Sequence, residues 1–105
     1  MKPFYLDGRR IESPLVRPVL NPWSGENVAD VCIAKGNDVE EAVASAHRAF
    51  ASTRKMAAGA RSATLERIAG LILARREEFA GVIVAEAGKP IAYAEAEVDR
   101  AVQTF

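Results

Sequence analysis

Apolar residues recur with two different periods along this chain, and the change of period divides it. Up to about residue 34 the apolar positions sit in short runs separated by turn residues. Phe4-Tyr5-Leu6 is β-prone, Asp7-Gly8 is a favoured tight-turn dipeptide, and Arg9-Arg10-Ile11 can return as the second arm, which predicts a hairpin. Ser13-Pro14 breaks it. Val16 to Leu20 forms a second extended run, in which Pro18 confines the strand to an edge or a bulge. Asn21-Pro22-Trp23-Ser24-Gly25 is a dense turn signal, and Val28 to Ala34 alternates as a strand with Ala29, Val31 and Ile33 on one side. The first third is therefore predicted to be two hairpins forming a small sheet with unpaired edges.

Beyond Lys35-Gly36-Asn37 the period becomes helical. Asp38 with Glu41 three residues on fits an N-cap with an acidic third position, and Val39, Ala42, Val43, Ala46 and Phe50 mark one face of a helix of about a dozen residues. Ser52 to Gly59 has no clean period and is predicted to connect. Leu65, Ile68, Ala69, Ile72 and Leu73 define a second amphipathic helix that Arg75-Arg76 closes. Glu77-Glu78 opens a third, whose predicted buried face is Phe79, Val82, Ile83 and Ala87. Gly70 and Gly81 lie inside these helices at a cost of about 1 kcal/mol each against alanine, which points to close approach of another backbone.

Glu86-Ala87-Gly88-Lys89-Pro90 is a helix stop followed at once by a helix start. Gly88 can take the left-handed conformation that closes a helix, Lys89 places a cation near the carbonyl end, and Pro90 pre-sets the backbone for the next first turn. On that basis Gly88→Ala should cost about 1 kcal/mol. Ala94, Val98, Ala101, Val102 and Phe105 then share one helical face, and no capping residue follows them. The pattern leads us to expect a chain that continues past Phe105. The fold class is α+β: two N-terminal β-hairpins, then three to four amphipathic helices.

The 105 residues are half apolar, which suffices for a small core, and 14 basic residues balance 14 acidic ones. A neutral chain supplies no electrostatic reason for nucleic acid or an anionic membrane as partner. The chain opens on Met1-Lys2-Pro3 without an apolar leader pattern, and its single cysteine rules out an internal disulfide. A cytoplasmic location is the resulting expectation.

Candidate chemistry is sparse. Gly88-Lys89 resembles the end of a phosphate-binding loop, but that loop needs glycine where Ile83 stands and serine or threonine where Pro90 stands. A helix C-terminus also attracts cations rather than phosphate. Cys32, on a predicted strand away from any helix N-terminus, reads as a packing residue before a nucleophile. His47, the one histidine, lies at the edge of an apolar face and cannot hold a metal without other ligands. Glu95 and Asp99 are four apart, a spacing that could bind a cation, with Glu97 and Arg100 offsetting their repulsion; a solvated face is the more common outcome. Trp23 reads as a partly buried turn anchor. No catalytic, cofactor-binding or metal-ligating residue is assigned.

Taken in order, these landmarks resemble the N-terminal region of the aldehyde dehydrogenase superfamily. Phe4-Tyr5-Leu6-Asp7-Gly8 resembles its opening strand and turn. Asn21-Pro22-Trp23-Ser24-Gly25-Glu26 is similar to its Asn-Pro-x-Thr-Gly-Glu turn, with Ser24 in place of threonine. Asp38 to Val43 and Ala46 to Phe50 follow its first helix, and Arg61, Leu65, Ile68, Ala69, Leu71 and Ile72 its second. Glu86 to Pro90 followed by Glu95-Ala96-Glu97-Val98 is similar to its Glu-x-Gly-Lys-Pro and Glu-Ala-x-x-Glu-Val signatures, with the last pair adjacent rather than separated. Thr53 departs from the tryptophan many members carry. Glu97 to Ala101 with Thr104-Phe105 resembles the branch acting on lactaldehyde, glyceraldehyde 3-phosphate and phosphonoacetaldehyde.

The resemblance implies that residues 1–105 are the N-terminal part of a cofactor-binding domain with a Rossmann-like α/β sheet. The parent would be a homo-oligomeric oxidoreductase using NAD or NADP to turn an aldehyde into a carboxylic acid. A cysteine would attack the aldehyde, hydride would leave to the nicotinamide, and a glutamate-activated water would hydrolyse the thioester. The family's nucleophile, glutamate, oxyanion asparagine and cofactor loop lie downstream of the matched region. The segment alone is therefore expected to be inactive and to hold no cofactor, with the remainder of its own chain as its partner. The alternative is a stand-alone, non-catalytic helical module that binds a partner through the unfilled face of its last helix.

Overall fold

A computed structural model describes all residues 1–105, which divide into two compact units. The first comprises Met1–Leu20 and Asn27–Met56. Strands β1 (Phe4–Leu6) and β2 (Arg9–Ile11) pair antiparallel, with Phe4 opposite Ile11 and Leu6 opposite Arg9. Asp7 and Gly8 both have positive φ, 52° and 72°, as a two-residue turn matched to strand twist demands. Strands β3 (Val16–Leu20) and β4 (Asn27–Cys32) form a separate antiparallel pair, with Pro18 opposite Asp30 and an irregularity between Val19 and Leu20. Each hairpin is thus its own two-stranded sheet rather than half of one. The outer edge of β4 is occupied by Lys2, whose N–H donates to the Asp30 carbonyl at 2.6 Å and whose carbonyl accepts from Cys32 N–H at 2.9 Å. That edge is blunted locally.

Helix α1 (Gly36–Thr53) has 18 residues, longer than its apolar period alone suggested. Asp38 is not its N-cap. It is the third residue of the helix, and its carboxylate accepts the N–H of Lys35 at 2.7 Å, so the acidic half of the capping pattern is met one turn earlier than expected, by Asp38 and not Glu41. Ser45 is the buried residue of α1, and its hydroxyl donates to Asp7 Oδ1 at 2.6 Å. Arg9 donates to Glu41 at 2.8 Å on the surface of the same unit. The expected apolar face is exposed instead of buried, including Val39, Val43 and Phe50.

The second unit comprises Asn21–Glu26 and Ala57–Phe105. Its helices are α2 (Ala58–Ala74), α3 (Arg76–Ala87) and α4 (Ile91–Thr104). The core is Ala80, Ala94 and Val98, all at most 3% exposed, with Ile72, Phe79, Ile83 and Val84 packed around them. Two alanines at the α3–α4 contact let the backbones approach closely, a ridge-and-groove solution that needs small side chains at the crossing. Ala80 was not anticipated, and Val82 and Ala87, expected to be buried, are exposed. The predicted face of α3 thus holds at Phe79 and Ile83, which pack on the core, while Ala80 and Val84 are covered in place of Val82 and Ala87. Phe105 is likewise half exposed at the end of α4. An alanine cannot announce burial by hydrophobicity; the partner helix decides it.

Gly70 and Gly81 do not mark a close backbone approach: a Cβ built on either would meet nothing within 4 Å. Gly88 does. Its φ is 66°, its N–H donates to Val84 O at 3.0 Å, and a Cβ there would lie 2.6 Å from Trp23 Nε1 and 2.7 Å from Pro22 Cγ. Pro90 precedes the first turn of α4 as its N-cap instead of standing inside it, with an extended ψ of 142° and a carbonyl that accepts from Tyr93 and Ala94 N–H. No helix is long and apolar enough to cross a membrane.

Candidate functional site

The densest cluster of polar side chains lies at the α3–α4 corner, and the local sequence builds it from three sides. The Asn21–Glu26 turn is closed by Asn21, whose Oδ1 accepts from Trp23 N–H at 2.9 Å and Ser24 N–H at 3.2 Å, while Gly25 takes a φ of 74°. Ser24 donates its hydroxyl to Glu26 and accepts the Glu26 N–H in return. This geometry presents the Trp23 indole, whose Nε1–H donates to the Gly88 carbonyl at 2.8 Å. Trp23 is 83% exposed, so it anchors by the polar edge of its indole and not, as expected, by partial burial.

Arg76, in the first turn of α3, reaches across to α4. Its Nε and NH2 donate to the two oxygens of Asp99 at 2.6 and 2.9 Å, and its NH1 lies 3.4 Å from Glu95. Glu95 and Asp99 do share a cation, then, and it is a guanidinium from the neighbouring helix. The hydrogen bond from Arg76 holds the Asp99 carboxyl below its ordinary value and raises Arg76 above its own. Lys89, just past Gly88, pairs with Glu97, and Arg100 approaches Glu97 at 3.7 Å. That hydrogen bond from Lys89, more than the charge of Arg100, holds Glu97 low. A surface depression beside this pair is lined by Lys89, Pro90, Tyr93, Ala96, Glu97 and Arg100.

The cluster is a set of bidentate and single ion pairs with their charges matched. It contains neither cysteine nor histidine, its one serine is bonded to Glu26 within the turn, and no group of three side chains placed to hold a metal occurs in it or elsewhere in the chain. Its chemistry is docking: it fixes α4 against α3. Arg76, which the sequence reading gives only as closing the second helix, is the member of the site that the pattern does not reveal. A signal was present, because a cation in the first turn of a helix opposes the dipole and so implies a partner elsewhere.

The other candidates are dispersed. Cys32 is buried at the end of β4, in keeping with a packing role. His47 is exposed on α1. The Gly88-Lys89 corner does not fit a dinucleotide or phosphate: the Gly88 amide is bonded to Val84, its Cα is covered by Trp23 and Pro22, and the Lys89 ammonium is held by Glu97. This chain's own residues offer no cradle for NAD or NADP at that place.

Comparison with known proteins agrees with the order of these landmarks. The pattern of the aldehyde dehydrogenase family matches residues 11–105. An N-succinylglutamate 5-semialdehyde dehydrogenase of Burkholderia mallei (strain SAVP1) is 45% identical over 78 residues, covering 74% of this chain and 16% of that protein. The solved structure of aldehyde dehydrogenase 21 from Physcomitrella patens, in complex with the reaction product succinate, superposes with a TM-score of 0.94 at 29% identity. The match covers 98% of this chain and 22% of that one. A NAD-dependent benzaldehyde dehydrogenase from Corynebacterium glutamicum gives 0.92 at 27% identity, covering 97% and 23%. The chain thus spans roughly a fifth of the length of the relatives it matches. With a family pattern over nine-tenths of its residues and the same fold in solved relatives, the chain belongs to the aldehyde dehydrogenase family.

Proposed function

We propose that residues 1–105 are the N-terminal part of the cofactor-binding domain of an NAD(P)-dependent aldehyde dehydrogenase that oxidises an aldehyde to a carboxylic acid. The segment is inactive by itself. The observation that carries this reading is the coverage: family similarity runs from residue 11 to 105, yet the relatives are about five times longer than the stretch they share with this chain. Supporting it, the α3–α4 corner spends its charged groups on helix docking, and Cys32 lies buried on a strand with no base beside it. A cytoplasmic, oligomeric parent belongs to the same reading. Its branch is a finer matter. Glu97 and Asp99 of the run that resembles the lactaldehyde-type enzymes are accounted for by Lys89 and Arg76, so that lean rests on the resemblance alone.

The purified chain, incubated with a panel of aldehydes and NAD or NADP, is expected to yield no reduced nicotinamide above the buffer rate and to retain neither dinucleotide on equilibrium dialysis. Sustained aldehyde-dependent reduction would overturn the inactive reading. An open reading frame continuing past Phe105 in aldehyde dehydrogenase sequence supports the parent. A stop codon there, with a cooperative melt of the chain, would favour the stand-alone interaction module instead.

A further inference from the structure

The β1–β2 turn carries a chemical liability that the rest of the chain lacks. Asp7–Gly8 is the one place where an aspartate or asparagine is followed directly by glycine, the neighbour that leaves the next amide nitrogen least shielded from the side chain. At such a pair the Gly8 nitrogen can attack Cγ of Asp7. A C–N bond forms, a Cγ–O bond breaks, and the oxygen leaves as water with the carboxyl and amide protons. Water then opens the five-membered imide at either carbonyl. Opening at the main-chain carbonyl leaves the backbone running through Cγ, an isoaspartate with no net change of mass. The extra backbone carbon would spoil a two-residue turn, and with it the Leu6–Arg9 register that seats the buried Leu6.

Ring closure needs Cβ of Asp7 to eclipse the Gly8 nitrogen. The two positive φ values, 52° and 72°, mark a type I′ turn, whose first central residue has ψ of about 30°, and that sets Cβ nearly opposite the nitrogen. The turn must therefore open before the reaction can start. Two side chains of α1, four residues apart and so on one face, hold it shut. Buried Ser45 donates to Asp7 Oδ1 at 2.6 Å, and Glu41 accepts from Arg9 at 2.8 Å. Only the first grips the reacting carboxylate, and releasing it strands a buried hydroxyl. We propose that Asp7–Gly8 is a site of spontaneous aspartate isomerisation and that Ser45 is the positioning residue that suppresses it.

The test ages the 105-residue chain beside the free peptide Phe4–Ile11 in neutral, reducing buffer and scores isoaspartate at Asp7 by chromatography and fragmentation of the digest. The chain should isomerise at least about tenfold more slowly than the peptide, because its reacting atoms are held out of line. Ser45→Ala should speed the reaction about fivefold or more, by loss of the one hydrogen bond that holds the carboxylate. Ser45→Cys keeps the volume with a weaker donor and should fall between the two. Cys32→Ala opens a cavity at another buried position of the same unit and should stay within about twofold of the unaltered chain, which separates the grip of Ser45 from general loosening. Far-UV circular dichroism confirms that each variant is folded, and where Ser45→Ala is not, the Ser45→Cys rate decides. A chain that ages as fast as the peptide overturns the proposal. Folded Ser45 variants that age at the unaltered rate, or Cys32→Ala accelerating as much as Ser45→Ala, overturn it as well.

Discussion

Replacing Gly88 with alanine loads three costs onto one methyl group. The left-handed backbone at φ 66° disfavours any Cβ by about 1 kcal/mol. The new Cβ would also stand 2.6 Å from Trp23 Nε1 and 2.9 Å from Trp23 Cδ1, with Pro22 Cγ at 2.7 Å, so the Asn21–Glu26 turn must retreat. Retreat loses the 2.8 Å hydrogen bond from the indole to the Gly88 carbonyl, which at this exposure is worth the lower end of about 0.5–1.5 kcal/mol. With overpacking against Pro22 and Trp23 at the low end of about 1–3 kcal/mol, the sum is about 2–3 kcal/mol, two to three times what a simple helix cap predicts. Urea unfolding followed by far-UV circular dichroism measures it without relying on the altered tryptophan. The decisive comparison is a double-mutant cycle with Trp23→Ala: once the ring is gone, only the backbone cost and the contact with Pro22 Cγ remain, and the two changes should couple by about 1 kcal/mol. Additivity within about 0.3 kcal/mol would refute the claim that Trp23 is what requires glycine here, leaving the cap conformation alone.

Further outcomes follow from other parts of the same unit. Gly70→Ala and Gly81→Ala should each stabilise the chain by up to about 1 kcal/mol in the same unfolding assay, since both sites are helical and open. Ala94 is fully buried at the α3–α4 contact, so Ala94→Leu should destabilise by about 1–3 kcal/mol through overpacking, while Val98→Ala should cost about 2 kcal/mol. Asp99 and Glu97 have folded-state values below their unfolded ones. Their contribution is therefore fully present above about pH 4 and is lost as pH falls through the folded values. Thermal melts across the acid range should show that loss, and Asp99→Asn should flatten it. Arg76→Lys should weaken α3–α4 docking even at neutral pH, because an ammonium cannot reproduce the two parallel bonds to Asp99.

Much of this protein was decided locally. The Asp7-Gly8 turn, the bounds of β3, the Asn21–Gly25 turn, the four helices and the left-handed Gly88 all follow from residue types acting within a few positions of each other, and so could be read from the chain. Its family could be read as well, from the order of its signatures. What lay beyond reach involves partners distant in sequence. Arg76 finds Asp99 on another helix, Trp23 explains Gly88 from the opposite end of the chain, and Ala80 is buried because α4 lies on it. The apolar face of α1 shows the converse: the period predicts where hydrophobic residues line up, and only packing decides whether anything covers them. Local propensity is encoded residue by residue, whereas burial and pairing are properties of two surfaces at once. The sequence alone therefore determined the elements and the lineage, and the tertiary structure decided which faces, glycines and charges those elements put to use.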